Sequence, residues 1–297
     1  MPETPSDAVT TVVITRNRLA DLLVSVPRHR GPVVVVDNGS EDGTVEGLRR
    51  LGLPGVTVVP LGRNLGAPAR NVGVELARTP YVAFADDDSW WAPGALDRAA
   101  AVLAACARLG LLAGTVLVGS QERLDPVCSM MAASPLGWDV GLPGPEILGF
   151  MACGAVVRRE AFLQAGGFDD VVMFPGEEER LALDLAAHGW VSCYVPEVVA
   201  HHHPSSTRDH DDARAALITR NWLLTAVMRR PWPVVAARAR QAMRSGRSGR
   251  LGVAYAVGRA PAALRRRRPV PASVEARARL LEVVGQLDRP VDSPSPG

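Results

Sequence analysis

The chain contains no lysine. All 33 of the basic residues among its 297 are arginine, so a GxxxxGK[ST] phosphate loop, whose lysine reaches the phosphates, is excluded. No GxGxxG follows a strand-like run and no GxSxG occurs, which leaves a dinucleotide-binding unit and an α/β-hydrolase nucleophile elbow without support. Cysteine is scarce: Cys106, Cys128, Cys153 and Cys193 form no CxxC pair and no Cys/His ligand spacing. They read as small core residues of a protein kept in a reducing cytosol. Aromatic residues make up only 5% of the chain, but 47% is hydrophobic and 22% charged, a globular balance that excludes disordered, collagen-like and disulfide-stapled classes. The most membrane-like stretch, Ala99 to Gly119, is interrupted by Arg108 and by Leu109-Gly110. It reads as a core helix followed by a buried strand rather than a membrane span. The opening MPETPSDAVT is polar and acidic, unlike a secretory leader.

Acidic residues are missing from one region. Between Ala213 and Val274 there are 14 arginines and no Asp or Glu. Residues 1–203 hold 15 Arg against 24 acids, whereas residues 204–297 hold 18 Arg against 7. The net charge of +2 therefore conceals an acidic body and a basic tail, which points to two tasks.

Within the body, strands alternate with helices. Val9–Thr15 is a buried-strand run, Asn17–Val26 a short helix, and Val33–Val36 four consecutive valines of a strand covered on both faces. A helix over 44–51, a strand over 56–59, a helix over 67–77 and a strand over 81–85 follow. This spacing predicts a mostly parallel α/β sheet. In such sheets ligands sit beyond the carboxyl ends of the strands, where Thr15-Arg16-Asn17, Asp37-Asn38-Gly39-Ser40 and Asp86-Asp87-Asp88 fall. Further on, Pro126–Pro145 reads as irregular chain, Ile147–Val157 as a strand, Glu177–His188 as a helix and Val191–Val195 as a strand. Helices over 213–228 and 233–243 come next, then Ser245-Gly246-Arg247-Ser248-Gly249 as a linker.

Three adjacent carboxylates at a strand end repel one another unless a cation or donors compensate. A hard divalent ion, Mn²⁺ or Mg²⁺, takes carboxylate and phosphate oxygens, so Asp86 and Asp88 are candidate ligands for a nucleotide diphosphate bridged by metal. One imidazole of His201-His202-His203 is a candidate third ligand, although such runs are more often surface clusters. Glu177-Glu178-Glu179 opens a helix, where acids favour the macrodipole. One of them projecting into the crevice would serve as a general base. Gly66 and Arg70 flank a helix start suited to anion or base contacts, and equally to capping.

Taken in order, the segments TVVITRNR, VVVVDNGSEDGT, GRNLGAPARNVGVELA, YVAFADDDSWWAPGAL, GAVVRREAFLQAGGFDD, FPGEEERLALDLAAHGW and VPEVVAHHH resemble family 2 glycosyltransferases of the GT-A fold. The resemblance spans roughly Val9 to His203 and is nearest to bacterial rhamnosyltransferase-like enzymes. It implies a central, mostly parallel sheet flanked by helices, with a C-terminal helical extension. A catalytic domain over 1–205 would have its donor half at about 9–120 and its acceptor half at about 121–205. A basic helical extension over 206–289 and a disordered tail over 290–297 would follow. The resemblance places the nucleotide around Thr15, Arg16, Asn17, Asp37, Asn38, Gly66, Arg70, Asp86 and Asp87. It puts the metal at Asp88, with Asp86 and His202. The catalytic base falls at Glu178, with Glu177 as the alternative, because the family's Glu-Asp pair is Glu-Glu here. The implied reaction is an inverting transfer from a UDP- or dTDP-sugar to a hydroxyl acceptor, lipid-linked and destined for the cell envelope.

Two other readings compete. A sugar-1-phosphate nucleotidyltransferase would need a glycine-rich basic loop near the N-terminus, which Ile14-Thr15-Arg16-Asn17 does not supply. A nucleic-acid-binding role would use the arginine-rich tail, which carries no recognised motif. No nucleic-acid partner is expected. Trp222-Leu223-Leu224 and Val227-Met228 beside Arg220, Arg229 and Arg230, with Trp232 following, point instead to an interfacial helix on an anionic membrane, at its cytoplasmic face. Packing on the body, or a homodimer, is the alternative for this tail.

Overall fold

The computed structural model describes residues 8–204 and 212–283. The expected disordered tail at 290–297 and the domain boundary at 205/206 lie outside the described residues. In chain order the first half runs β1 (Val9–Thr15), α1 (Leu19–Ser25), β2 (Val33–Asp37), α2 (Thr44–Leu51), β3 (Val56–Pro60), α3 (Ala69–Leu76), β4 (Tyr81–Asp86), β5 (Ser89–Trp91) and α4 (Ala95–Ala105). There follow β6 (Leu109–Val118), β7 (Arg123–Leu124), α5 (Pro126–Ala132), β8 (Ala155–Arg158), α6 (Arg159–Gln164), α7 (Glu178–Ala187) and β9 (Val191–His202). Four C-terminal helices complete it: α8 (Asp212–Arg229), α9 (Trp232–Arg244), α10 (Gly246–Arg265) and α11 (Ala272–Val283).

The valine run of β2 explains why a sheet forms between two layers. Val34 and Val36 pack with Ala69 and Val74 of α3, while Val33 and Val35 pack with Leu22 of α1 and Leu48 of α2. Strand alternation thus gives each face its own apolar cluster. The sheet order is β3-β2-β1-β4-β8-β6-β9-β5, with β7 on β6. Strands β3, β2, β1 and β4 are parallel, with Thr15 opposite Asp37 and Ile14 opposite Asp86. That register brings three polar strand ends to one level. Beyond β4 the sheet is mixed, because β8 runs antiparallel to both β4 and β6. β4 and β5 are joined by Asp87-Asp88 alone, yet β5 pairs with β9 at the far end of the order. The sheet therefore curls until its β5 end returns to β4 at the aspartate turn.

Three local expectations are corrected. The stretch read as irregular from Pro126 contains α5, since Pro126 suits the first helical turn and the Asp125 carboxylate accepts the Val127 N–H as a cap. The strand expected over 147–157 is reduced to β8. Ile147 and Phe150 sit in the core through packing, and a short 3₁₀ turn at Ala152–Gly154 precedes the ladder. The linker expected at Ser245–Gly249 is the first turn of α10. Gly249, and Gly252 after it, serve close helix approach: a Cβ on Gly249 would lie 2.1 Å from the Ala242 carbonyl oxygen of α9, and one on Gly252 2.5 Å from the Cβ of Thr219 in α8.

The expected interfacial helix is also corrected. Leu223, Leu224 and Met228 of α8 are buried with Val171, Val172, Ala242 and Ala256, so this face packs on the body. Arg220 is half-buried on Asn221 and the Val172 carbonyl, while Arg229, Arg230 and, from α9, Arg238 are buried against acids. Arg229 pairs with Asp184 of α7. Arg230, 0% exposed, pairs with Glu275 at 2.6 Å and Glu282 at 2.9 Å in α11. Arg238 holds both oxygens of Glu179, at 2.7 and 3.3 Å, and lies over the Trp222 ring.

His29, just after a 3₁₀ turn, is buried, and among the described residues neither ring nitrogen has a hydrogen-bond partner. Burial pulls its pKa down from 6.5 to about 4. The unfolded chain therefore takes up this proton first. Stability present above pH 6.5 is lost as pH falls toward 4, by about 3 kcal/mol at 1.36 kcal/mol per unit. His29→Leu should flatten the pH dependence of urea-unfolding stability in that window. An unchanged slope would show that other groups govern it.

Candidate functional site

The site forms where the parallel strands end. Thr15, the last residue of β1, is buried and donates its hydroxyl to Asp87 Oδ2 at 3.3 Å. Asp37, at the end of β2, turns its carboxylate onto its own loop: Oδ2 accepts the N–H groups of Gly39 and Ser40, and Oδ1 accepts the Ser40 hydroxyl. Asn38 clasps the next loop, donating to the Gly66 carbonyl and accepting the Leu65 N–H. Gly66 has φ +67°, and a Cβ there would sit 3.5 Å from Met173, so this loop faces the segment that leads to α7. Arg16 and Asn17 are exposed at the rim. Asn17, also at positive φ, is tied by its N–H to the Ser40 hydroxyl and by Oδ1 to the Glu41 N–H.

Asp86, Asp88 and His202 converge. One ligand atom from each lies within 4.8 Å of the others, and His202 Nε2 is 3.2 Å from Asp88 Oδ1. The convergence follows from the ladder that sets Ser89 of β5 opposite His202 of β9, reinforced by the His203 N–H donating to the Asp88 carbonyl. Two carboxylates and an imidazole make a mixed O/N donor set that suits Mn²⁺ and, through its oxygens, Mg²⁺. Asp87 turns the other way, toward Thr15. Burial, then Asp88 and Asp86, push its pKa up to about 8.

Arg70 is the residue whose position the sequence did not disclose. It is buried in α3, where Nη2 donates to Asp86 Oδ1 at 2.7 Å and Nη1 to Glu177 Oε1 at 3.2 Å. One guanidinium thus joins the aspartate turn to the start of α7 across 107 residues of sequence. Glu177 is 1% exposed and locked in this pair, whereas Glu178 is only half-buried. Burial raises the pKa of both, Glu177 well above the usual carboxylate range. The pair consequently divides into a fully buried partner for Arg70 and a less buried carboxylate one residue later. Trp90 also escaped the sequence reading: it stacks on His201, tilts against His203 and lies under Arg28 at 4.2 Å. Of the three histidines only His202 is therefore turned to the acidic cluster.

Comparison with known proteins bears on the family and the fold. The profile of Glycosyl transferase family 2 matches residues 10–164, more than half of the chain. An N-acetylglucosaminyl-diphospho-decaprenol L-rhamnosyltransferase of Mycobacterium tuberculosis is 28% identical over 229 residues, covering 61% of this chain and 69% of the relative. Among solved structures, a mannosyltransferase from Pyrobaculum calidifontis in complex with GDP-Man and Mn²⁺ superposes with TM-score 0.57 at 20% identity, over 96% of this chain and 89% of that one. GalNAc-T7 with UDP, GalNAc and Mn²⁺ gives TM-score 0.61 at 13% identity, over 97% and 58%. S. aureus TarS 1-349 with UDP-GlcNAc gives 0.56 at 16%, over 94% and 88%. At these identities the three structures share the fold.

Proposed function

The chain belongs to glycosyl transferase family 2, and on that premise we propose that it is an inverting, metal-dependent enzyme using a nucleotide-sugar donor. The observation that carries the reading is the buried Arg70, which joins Asp86 to Glu177 and so sets Glu178 beside the acidic cluster. Asp86, Asp88 and His202 would hold the divalent ion, which when bound offsets negative charge on the departing diphosphate. Thr15 and Asp37 flank the pocket for the base, and Asn38 fixes the Gly66 loop against it. Glu178 removes the proton of the acceptor hydroxyl. That oxygen attacks the anomeric carbon from the face opposite the diphosphate, the bond to phosphate breaks, and the configuration inverts.

The donor is a dTDP- or UDP-sugar, and the acceptor a hydroxyl on a lipid-linked saccharide of the cell envelope. The mycobacterial relative, named for rhamnose transfer to a decaprenol-linked sugar, supports this choice. Such an acceptor places the enzyme at the cytoplasmic face of the membrane. Among the described residues no helix is long and apolar enough to cross one, consistent with peripheral contact.

The test is transfer from dTDP-L-rhamnose and a panel of UDP-sugars to a synthetic polyprenyl-diphospho-N-acetylglucosamine, with the anomeric configuration read by NMR. Retention of configuration would overturn the single displacement, and absence of transfer from every donor would overturn the substrate class. Metal dependence is tested on binding. A nucleoside diphosphate with Mn²⁺ at a hundred times its dissociation constant should stabilise the protein by about 2.7 kcal/mol. EDTA should remove that gain, and Asp88→Asn should abolish it without altering the unliganded melting temperature. Full manganese-dependent stabilisation of Asp88→Asn would take Asp88 out of the metal site.

A further inference from the structure

The burial of Arg229, Arg230 and Arg238 accounts for only part of the basic tail. Arg240 and Arg244 on α9, and Arg250 and Arg268 along and just beyond α10, remain exposed. Among the described residues no carboxylate pairs with any of the four. Helical spacing gathers most of them. Arg240 and Arg244 are four apart on α9, Arg250, Ala254, Val257, Pro261 and Leu264 recur every three or four residues on one exposed stripe of α10, and Arg268 is exposed in the chain that follows it. The two helices form an antiparallel hairpin, for Arg267 at the end of α10 lies 4.0 Å over the ring of Trp232 at the start of α9 and donates to the Arg230 carbonyl at 3.0 Å. Both pack on α8 by their small-residue sides, Ala242 from α9 and Ala256 and Ala263 from α10, so their outer faces lie side by side. Large apolar groups stand among the arginines there: Trp232 is 55% exposed, Val257 67% and Leu264 48%.

From this juxtaposition we infer that the outer face of the α9–α10 hairpin is a docking surface for an anionic lipid bilayer. Cations without counter-charges match anionic headgroups, and the interleaved Trp, Val and Leu side chains have a use at an acyl boundary. A nucleic-acid backbone would engage the arginines but gives exposed aliphatic groups no partner. The surface is also connected to the cleft. Arg259 of α10 donates to the Asp170 and Val171 carbonyls and to Met173 Sδ, and Met173 faces Gly66. The same helix thus carries the proposed surface on one face and, on its other face, holds the segment before α7. The inference extends the lipid-linked acceptor of the proposed function and rests on that reading only for the purpose of the contact.

The full chain should co-sediment at low salt with phosphatidylcholine vesicles containing about 30% phosphatidylglycerol, and at least tenfold less with phosphatidylcholine alone. Replacing Arg240, Arg244, Arg250 and Arg268 together by Gln should weaken phosphatidylglycerol binding at least tenfold with no change in melting temperature. The pair Trp232→Ser and Leu264→Ser should remove the share of binding that survives several-fold physiological salt. Absence of phosphatidylglycerol binding by the full chain would overturn the inference, as would undiminished binding by the four-arginine variant. Binding of a homopolymer RNA in preference to the vesicles, lost in the same variant, would overturn it in favour of a nucleic-acid surface. No sugar donor or acceptor enters this assay, so its failure leaves glycosyl transfer standing. Failure of transfer in turn leaves the vesicle result intact.

Discussion

Glu178→Gln is expected to bind nucleotide and Mn²⁺ as the unaltered enzyme does and to lose sugar transfer by at least about 10²-fold, the loss typical of a missing general base. The substitution keeps shape and hydrogen-bonding capacity while removing only the proton acceptor. Burial raises the Glu178 pKa above its ordinary 4.5, which strengthens it as a base and moves the acid limb of the kcat profile upward. That limb should vanish from the residual activity of Glu178→Gln. Glu177→Gln should behave differently, because Glu177 is the buried hydrogen-bond partner of Arg70. Its loss should lower stability first and transfer less. If Glu177→Gln instead removed transfer while Glu178→Gln left it intact, the base would be the other carboxylate. Full activity in both would remove the α7 carboxylates from the chemistry.

Arg230→Met should be among the most destabilising single changes in the molecule, at about 3–5 kcal/mol. Arg230 is fully buried and holds Glu275 through two nitrogens and Glu282 through a third. Removing it leaves Glu275 and Glu282 short of a donor in a region largely shielded from water, with Arg279 remaining on Glu275 and Arg238 on Glu282 as partial relief. The cost is the penalty of stranded charge rather than the worth of the pair, so Arg230→Met combined with Glu275→Met should recover a large part of the loss. Urea denaturation of the single and double variants measures both quantities. A single variant within about 0.5 kcal/mol of the parent would mean that water reaches this network. Glu179, adjacent to Glu178, is held by Arg238 and lies 4.0 Å from Arg230. The C-terminal helices are thus a support for the helix that presents Glu178, whatever else their outer faces do.

The sequence by itself determined which strand runs are apolar and where their polar ends fall, and it carries the resemblance to family 2 glycosyltransferases. The valines of 33–36, the alternation of helices and strands, and the acids at 86–88 and 177–179 are local features, and the period and spacing that specify them are visible in a line of residues. The two aspartates stood out for the same reason, but the choice of His202 from its triplet came from the family resemblance, and the β5–β9 ladder is what sets it against Asp88. Only the tertiary structure decided the rest. Arg70 reads as a nucleotide contact in isolation, and its link to Glu177 exists because α3 and the start of α7 meet over the curled sheet. That meeting also separated Glu177 from Glu178, which composition treats as equals. The run of 14 arginines without an acid looks like one uniform surface, but the acids that pair with Arg229, Arg230 and Arg238 come from α7 and α11, outside the run. Charge compensation is set by distance in space, and a sequence records only distance along the chain.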